Sequence, residues 1–410
     1  MKTPSTAPLG LVFSALVASR LLISWTSIHE YLIHDHQLSS PLTSFLNLKE
    51  GIYLFNTGVD PYSGGVFRHS PLYLSLFTTI LSPSRITASI LWTLCDSIGA
   101  WSMIRIWRAR QGVVQSSRDV LVAAMYFLNP YLLLPSLAFS TSSIENAVCL
   151  LAIMFACEKR TSASLLALAF LVQLSLSSVL LILPIILLLM TNPTSQLASP
   201  RPFSGKWTQS LGLVVELIVY STVLTLASTL VSGGFLWVSQ TWGASLTLPD
   251  LTPNPGLWWY FFTEMFDHFR PFFLMVFSVH LLIYIVPICI KFQYDTLYST
   301  FLLVGVLGIF KAYPTLSDPG LFLSMISIFP EIYPYFRHPI VTSLLHLHAA
   351  MLLPLFHKLW LAQGTGNANF FYASTLVFAC ANGAALVDCI WAGLRIAIGE
   401  EVDGYTVTQE

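Results

Sequence analysis

Apolar residues in this chain run in long blocks, broken at irregular intervals by short clusters of Pro, Gly, Asn, Asp and His. Blocks of this length and polarity are the signature of membrane-spanning helices. They predict about twelve spans, at residues 9–28, 85–107, 120–135, 143–157, 163–176, 178–190, 209–238, 271–290, 297–312, 319–332, 339–362 and 370–395. Several are too short to cross a bilayer upright and are expected to be tilted, broken or shielded by neighbours. The pair 163–190 also reads as one long helix, and 319–332 is the weakest span. Residues 71–81 are too short to span and read as re-entrant or interfacial. Asn129-Pro130 breaks one helix, and Pro184, Pro287, Pro330 and Pro354 are candidate kinks.

One polar-to-apolar transition stands out, LTLPDLTPNPGLWWYFFTEMFDHFR at 246–270. Pro249, Pro253 and Pro255 predict a rigid non-helical turn carrying Asp250, Thr252 and Asn254. From Leu257 the period becomes helical. Trp258, Phe261, Phe262, Met265, Phe266 and Phe269 share one face, and Tyr260, Thr263, Glu264, Asp267 and His268 the other, which predicts an interfacial amphipathic helix. An aromatic belt that only anchors neighbouring spans explains the helix equally well; the rigid polar turn before it is what points to a ligand or partner.

Composition agrees with the pattern. Of 410 residues, 55% are hydrophobic and 10% charged, and the mean hydropathy is +0.71, whereas soluble domains carry about 25% charged residues. The expected fold class is therefore an all-α polytopic membrane protein, residues 1–410 forming a single multi-span domain. A net charge of −1 offers no attraction for nucleic acid. The six cysteines, Cys95, Cys149, Cys157, Cys289, Cys380 and Cys389, lie in apolar segments without metal-ligand spacing and read as buried free thiols. Arg20 interrupts the first apolar run and no small-residue cleavage site follows, so that run reads as an uncleaved span.

With the N-terminus cytoplasmic, Lys2, Arg105, Arg108, Arg110, Arg118, Lys159, Arg160, Arg201, Lys206, Lys291, Arg337 and Arg395 fall on that side. Lys49, Arg68, Arg270, Lys311 and Lys358 fall opposite, so this orientation satisfies the positive-inside rule. Residues 396–410, with Glu400, Glu401 and Asp403, are then a cytoplasmic tail. The expected lumenal segments are 29–70, 239–270, 311–320 and 363–371, and the unusual polar chemistry gathers there.

The glycine-rich loop 56–70 holds Asp60, Tyr62, Ser63, Arg68 and His69. Lys311 and Asp318 flank an interrupted helix end. Asn367 and Asn369 carry amides suited to sugar hydroxyls or a phosphate ester. Asn is equally a cap or turn residue, a reading that fits Asn369 better than Asn367. Within the spans, Arg20, Asp96, Glu145, Glu216 and Asp388 are expensive unless they face a cavity or a partner. The cluster His29, Glu30, His34, Asp35 and His36 has a metal-like composition but no paired-acid motif, so a solvated loop is the simpler reading. His346 and His348 read as core or interface residues. No nucleophile, metalloprotease or phosphate-loop motif is present. The residues themselves favour binding or scaffolding over catalysis.

Five strings carry a family resemblance: GVDPYSGGVFRHSPL at 58–72, FLNPY at 127–131, LPDLTPNPGLWWYFFTEMFDHF at 248–269, IFKAYPTLSDPG at 309–320 and GNANFFYASTLVF at 366–378. In these the chain resembles PIG-U, the U-subunit family of glycosylphosphatidylinositol (GPI) transamidase, with weaker likeness through most of its length. The resemblance implies a non-catalytic, multi-pass subunit of an endoplasmic reticulum complex that exchanges a protein's C-terminal signal for GPI. It implies partner subunits including a cysteine-protease-like catalytic one, no cofactor, no metal, and a bundle like that of the GT-C glycosyltransferases. Asn367 and Asn369 match asparagines that the family places at the GPI headgroup. Asp250, Asn254, Trp258, Phe262 and Tyr62 are implied, more loosely, as lipid-binding. The histidine cluster and residues 191–208 have no counterpart in it. Two alternatives stay open: a lumenal mannosyltransferase using a dolichol-phosphate sugar with Asp35 or Asp60 as base, or a pure scaffold.

Overall fold

The computed structural model describes residues 9–203, 205, 207–399 and 404. The expected tail, apart from its first residues, and Lys2 and Lys206 lie outside them. The described chain is helical with no strand among the described residues. Helices occupy every place where an apolar block was read. Four are long and apolar enough to cross a membrane: Thr208–Ser232, Arg270–Lys291, Pro339–Ala362 and Ala368–Ile398. Asp119–Phe127 and Pro130–Leu137 form a fifth if taken as one span bent by 51°.

That bend sits at Asn129-Pro130, where the sequence placed it. Pro130 cannot continue the preceding ladder but starts a helix well. Asn129 caps the new helix, its Oδ1 accepting from Tyr131 N at 3.0 Å, while Nδ2 donates to Gly320 O and Ser324 Oγ at 3.0 and 2.9 Å. Segment 161–190 is not one helix. Thr161–Leu174 ends at Ser175, which is extended, and a 3-10 turn Leu176–Leu181 leads into Ile182–Met190. Pro184 explains the late start: it has no N–H for the Leu180 carbonyl and its ring would collide with that carbonyl in a continuous helix. The weakest span, 319–332, is a nine-residue buried helix, Ser317–Met325, followed by two 3-10 turns on either side of Pro330.

At the centre lies Thr296–Phe310, buried along nearly its whole length. It packs against Ser317–Met325, Ile182–Met190 and Ala368–Ile398. A Cβ on Gly308 would stand 2.9 Å from Pro319 Cα, so only glycine lets this hairpin close. Three of the four long apolar helices bury only 11% of their most apolar windows. They surround the packed centre with outward-facing aliphatic side chains, as lipid-facing or partner-facing helices do.

Ionisable groups inside the bundle are paired. Arg20 Nε meets Asp96 Oδ2 at 2.9 Å and its Nη2 meets Ser136 Oγ at 2.5 Å. Lys311 Nζ lies 3.1 Å from Glu145 and 2.8 Å from Asp318. Tyr220 donates to Glu216 at 2.9 Å, and Asp388 accepts from His338 N at 3.3 Å. Five cysteines are buried as expected. Cys380 is exposed on Ala368–Ile398, on the face turned away from the core.

Candidate functional site

The turn 249–256 is held by its own side chains. Asp250 Oδ1 accepts from Thr252 N at 3.0 Å and from the Thr252 hydroxyl. Asn254 donates to Thr252 O at 3.0 Å and accepts from Gly256 N at 2.9 Å. These are Asx turns, in which a short polar side chain replaces a backbone partner. Asn254 is buried, and both polar side chains are engaged inside the turn. Asp250 N also donates to Tyr313 Oη at 3.1 Å, fastening the turn to segment 311–316.

The aromatic helix that follows is shorter than its periodicity predicts. It spans Trp258–Thr263, and the chain turns before a new helix at Arg270. Pro271 supplies the reason, since a helix running through it would lose the bond to Asp267 O and meet that carbonyl sterically. Nor is it one-sided. Trp258 and Phe262 turn toward Phe277, Phe310 and Tyr313, whereas Trp259 packs among Trp360, Phe371 and Tyr372. The helix is a wedge between two aromatic clusters.

On the Trp258 side lies a cavity of about 220 Å³. Its walls come from the 3-10 turn (Leu176, Ser177, Val179, Leu180), from Leu246 and Leu248, from Trp258 and Phe262, and from Leu274, Phe277, Leu281 and Leu282. The Trp258 indole donates to Phe310 O at 3.1 Å, which fixes its ring as one wall. The lining is overwhelmingly apolar, with Ser177, Ser245 and Ser278 as its hydroxyl groups. A second, smaller cavity shares Ser177 and reaches the Glu145, Lys311, Asp318 cluster.

On the other side of the wedge, the Tyr260 hydroxyl donates to Asn369 Oδ1. Asn369 therefore spends its carbonyl on the aromatic helix, and its amide N–H₂ stands at the exposed surface. Asn367, not Asn369, is the N-cap of Ala368–Ile398, its Oδ1 accepting from Phe370 N at 3.1 Å. The three-residue reach from cap to N3 is the geometry capping requires, and only Asn367 has it.

The structure thus brings Trp258, Phe262 and, through Tyr260, Asn369 around one element. Tyr62 is elsewhere. It is 2% exposed, donates to His69 O at 2.9 Å and packs with Phe67 in the cluster around Trp92 and Trp237. Burial drives its phenol well above its ordinary range. Asp60 and Asp35, the candidate bases, accept from Tyr62 N at 2.9 Å and Gln37 N at 2.8 Å within their own turns. His29 is buried against Phe139 and bonds Leu137 O at 3.0 Å, so it is no part of a solvated loop. Among the described residues no three His, Cys, Asp or Glu are placed to hold a metal ion. The sequence carries no signal for the cavity residues of Leu176–Leu181 and of 274–282, because aliphatic residues lining a cavity look the same as aliphatic residues facing lipid.

Comparison with known proteins completes the picture. The family model for GPI transamidase subunit PIG-U matches residues 14–378. The chain is 33% identical to the GPI transamidase component GAB1 of Saccharomyces cerevisiae, over 93% of each chain. It is 32% identical to the GAB1 homolog of Schizosaccharomyces pombe, again over 93% of each. With the human GPI-anchor transamidase component PIGU the identity is 30%, over 95% of this chain and 94% of the relative. A match over nearly the whole length, through the proline turn, the aromatic wedge and the asparagine cap alike, makes this chain a member of the GPI transamidase subunit PIG-U family.

Proposed function

We propose that the chain is a non-catalytic, multi-pass subunit of GPI transamidase in the endoplasmic reticulum membrane, which holds the GPI lipid and presents it to a catalytic partner. The observation that carries this reading is the apolar cavity walled by Trp258 and Phe262 on one side of the wedge helix, which on its other side bonds the exposed Asn369 through Tyr260. An acyl chain entering sideways from the bilayer would fill the cavity, while the Asn369 amide meets the headgroup. At about 220 Å³ the space is below the roughly 300–1,000 Å³ of drug-sized pockets, which suits part of one chain. Holding GPI beside the partner's acyl-enzyme would convert a bimolecular aminolysis into a near-intramolecular one. Asp250 and Asn254 serve this reading by fixing the wedge rather than by touching lipid.

The test uses transamidase-dependent display of a GPI-anchored reporter. Ser278→Trp, which fills the cavity, is expected to lower display at least tenfold while the chain still co-purifies with its partners. Asn369→Ala should lower it severalfold; Asn367→Ser, which keeps the cap, separates headgroup contact from helix stability. Normal display in both Ser278→Trp and Asn369→Ala would leave a scaffold, not a lipid-holding subunit.

A further inference from the structure

Three arginines are buried among the described residues, and two of them are compensated. Arg20 pairs with Asp96, and Arg110 with Asp295 and Glu331. Arg68, in the loop before Pro71, is 8% exposed and forms no ion pair with any described residue. Its one hydrogen bond is from Nη1 to the neutral Gln240 Oε1 at 3.0 Å, and its Nε–H is buried without a partner. A guanidinium keeps its charge, and leaving it buried without a counter-ion is unfavourable in the way that breaking a buried ion pair is. A site that keeps such a group is missing its anion.

Its position says which anion. Phe67 and His69 pack on one another, while Arg68 between them reaches Gln240. Gln240 lies in the π-turn Ser239–Gly243, which runs directly into Ala244–Thr247. Ser245, Leu246 and Leu248 there line the apolar cavity, at about 1.5 Å per residue only one to two helical turns away. Tyr313, beside the cavity residue Ala312, feels the Arg68 charge; burial pushes its phenol up to about 12, and Arg68 works against that rise. The neighbouring His69 adds no charge, because burial lowers it to about 4.

We propose that Arg68 anchors a binding site for a phosphate group at the polar edge of the apolar cavity. The buried Arg68 Nε–H has no partner, and together with an adjacent Nη–H it forms the two-donor fork that suits a phosphate oxyanion. Only the expectation that the phosphate arrives on a lipid rests on the lipid-holding function; the anion site itself does not.

The experiment is thermal unfolding of the full chain in its complex, in an uncharged maltoside detergent, with added phosphatidylinositol, diacylglycerol of the same chains, or inorganic phosphate. The quantity read is the shift in Tm that each probe causes, so a variant that is merely less stable still reports. Phosphatidylinositol is expected to raise Tm where diacylglycerol does not, with half-saturation at least tenfold weaker in Arg68→Gln and partly restored in Arg68→Lys. If inorganic phosphate alone gives the same Arg68-dependent shift, the site holds and its ligand is free phosphate. Equal shifts in wild type and Arg68→Gln for both phosphate probes overturn the proposal. Ser278→Trp is expected to lose the phosphatidylinositol shift and keep the phosphate one; a Ser278→Trp variant that keeps both would overturn the sideways-lipid source while leaving the Arg68 site standing.

Discussion

His69 shows how much one side chain can hold. Its Nε2 bonds Ser44 O at 2.8 Å across the loop while its Nδ1 is buried without a partner. Burial therefore favours the neutral ring, lowering the pKa from its ordinary 6.5 to about 4. The unfolded chain binds a proton near pH 6.5 and the folded chain does not, so the contribution is fully present above that pH. It is lost as pH falls from 6.5 towards 4, by a limit on the order of 3 kcal/mol. Protection factors of residues 57–70, taken from exchange rates corrected for the intrinsic pH dependence of amide exchange, should fall between pH 7 and pH 5, and His69→Gln should flatten that dependence. An unchanged profile in the variant would place the acid-sensitive group elsewhere. The asparagines make a second point at this scale. Residue type could not say which of Asn367 and Asn369 capped a helix, because both lie within reach of its first turn; the helix start at Ala368 decided it.

At the scale of elements, chain breaks were legible wherever proline made them. Asn129-Pro130 and Pro330 broke helices where a missing N–H and a ring clash demand it, Pro271 lies in the first turn of a new helix after the aromatic one has ended, and Pro184 sits in the first turn of a helix that hydrophobic periodicity alone joined to its predecessor. Asn129 does more than cap, because its amide also bonds Gly320 O and Ser324 Oγ across to the next buried helix. Asn129→Ala should then cost more than the roughly 1 kcal/mol of a lost cap, about 2 kcal/mol in all, since it leaves buried acceptors unpaired. Reversible unfolding in mixed micelles would measure it. Asn129→Asp, which retains the cap but not the amide donors, should recover only the smaller part. The aromatic wedge departs from its periodicity for a different reason. Periodicity reports which residues share a face, but not that the second face is also buried by another cluster.

For the whole molecule, the buried ion clusters bind distant segments together. Arg110 Nη2 bonds Asp295 Oδ2 at 3.0 Å, Glu331 Oε1 at 2.6 Å and Ser195 Oγ at 3.2 Å, and Gln196 N donates to Asp295 Oδ2 at 3.2 Å. One arginine thus joins the long helix Arg85–Gln111, segment 191–203, the cap of the central helix and the 3-10 turn Pro330–Tyr335. Its removal leaves two carboxylates without their counter-charge, so Arg110→Met should cost about 3–5 kcal/mol. Limited proteolysis within 192–203 should accelerate in the variant, and Asp295→Asn combined with Glu331→Gln should relieve part of the loss. Cleavage at the wild-type rate would show the cluster to be incidental to the clasp. Residues 191–208 read from sequence as a segment peculiar to this chain; its attachment to Arg110 is a contact over a separation of 85 residues.

Sequence by itself determined the helical class, the places of the apolar helices, the proline-directed breaks, and the family, through strings long enough to be distinctive. These are local properties: they depend on periodicity, on missing backbone donors and on residues adjacent in the chain. Tertiary structure alone decided which aliphatic residues line a cavity rather than face lipid, that Lys311 meets Glu145, that Tyr62 is core, and that Arg68 is buried without a counter-charge. Each depends on where segments dozens to hundreds of residues apart come to lie, and a side chain's chemistry is the same on either side of that choice until packing makes it.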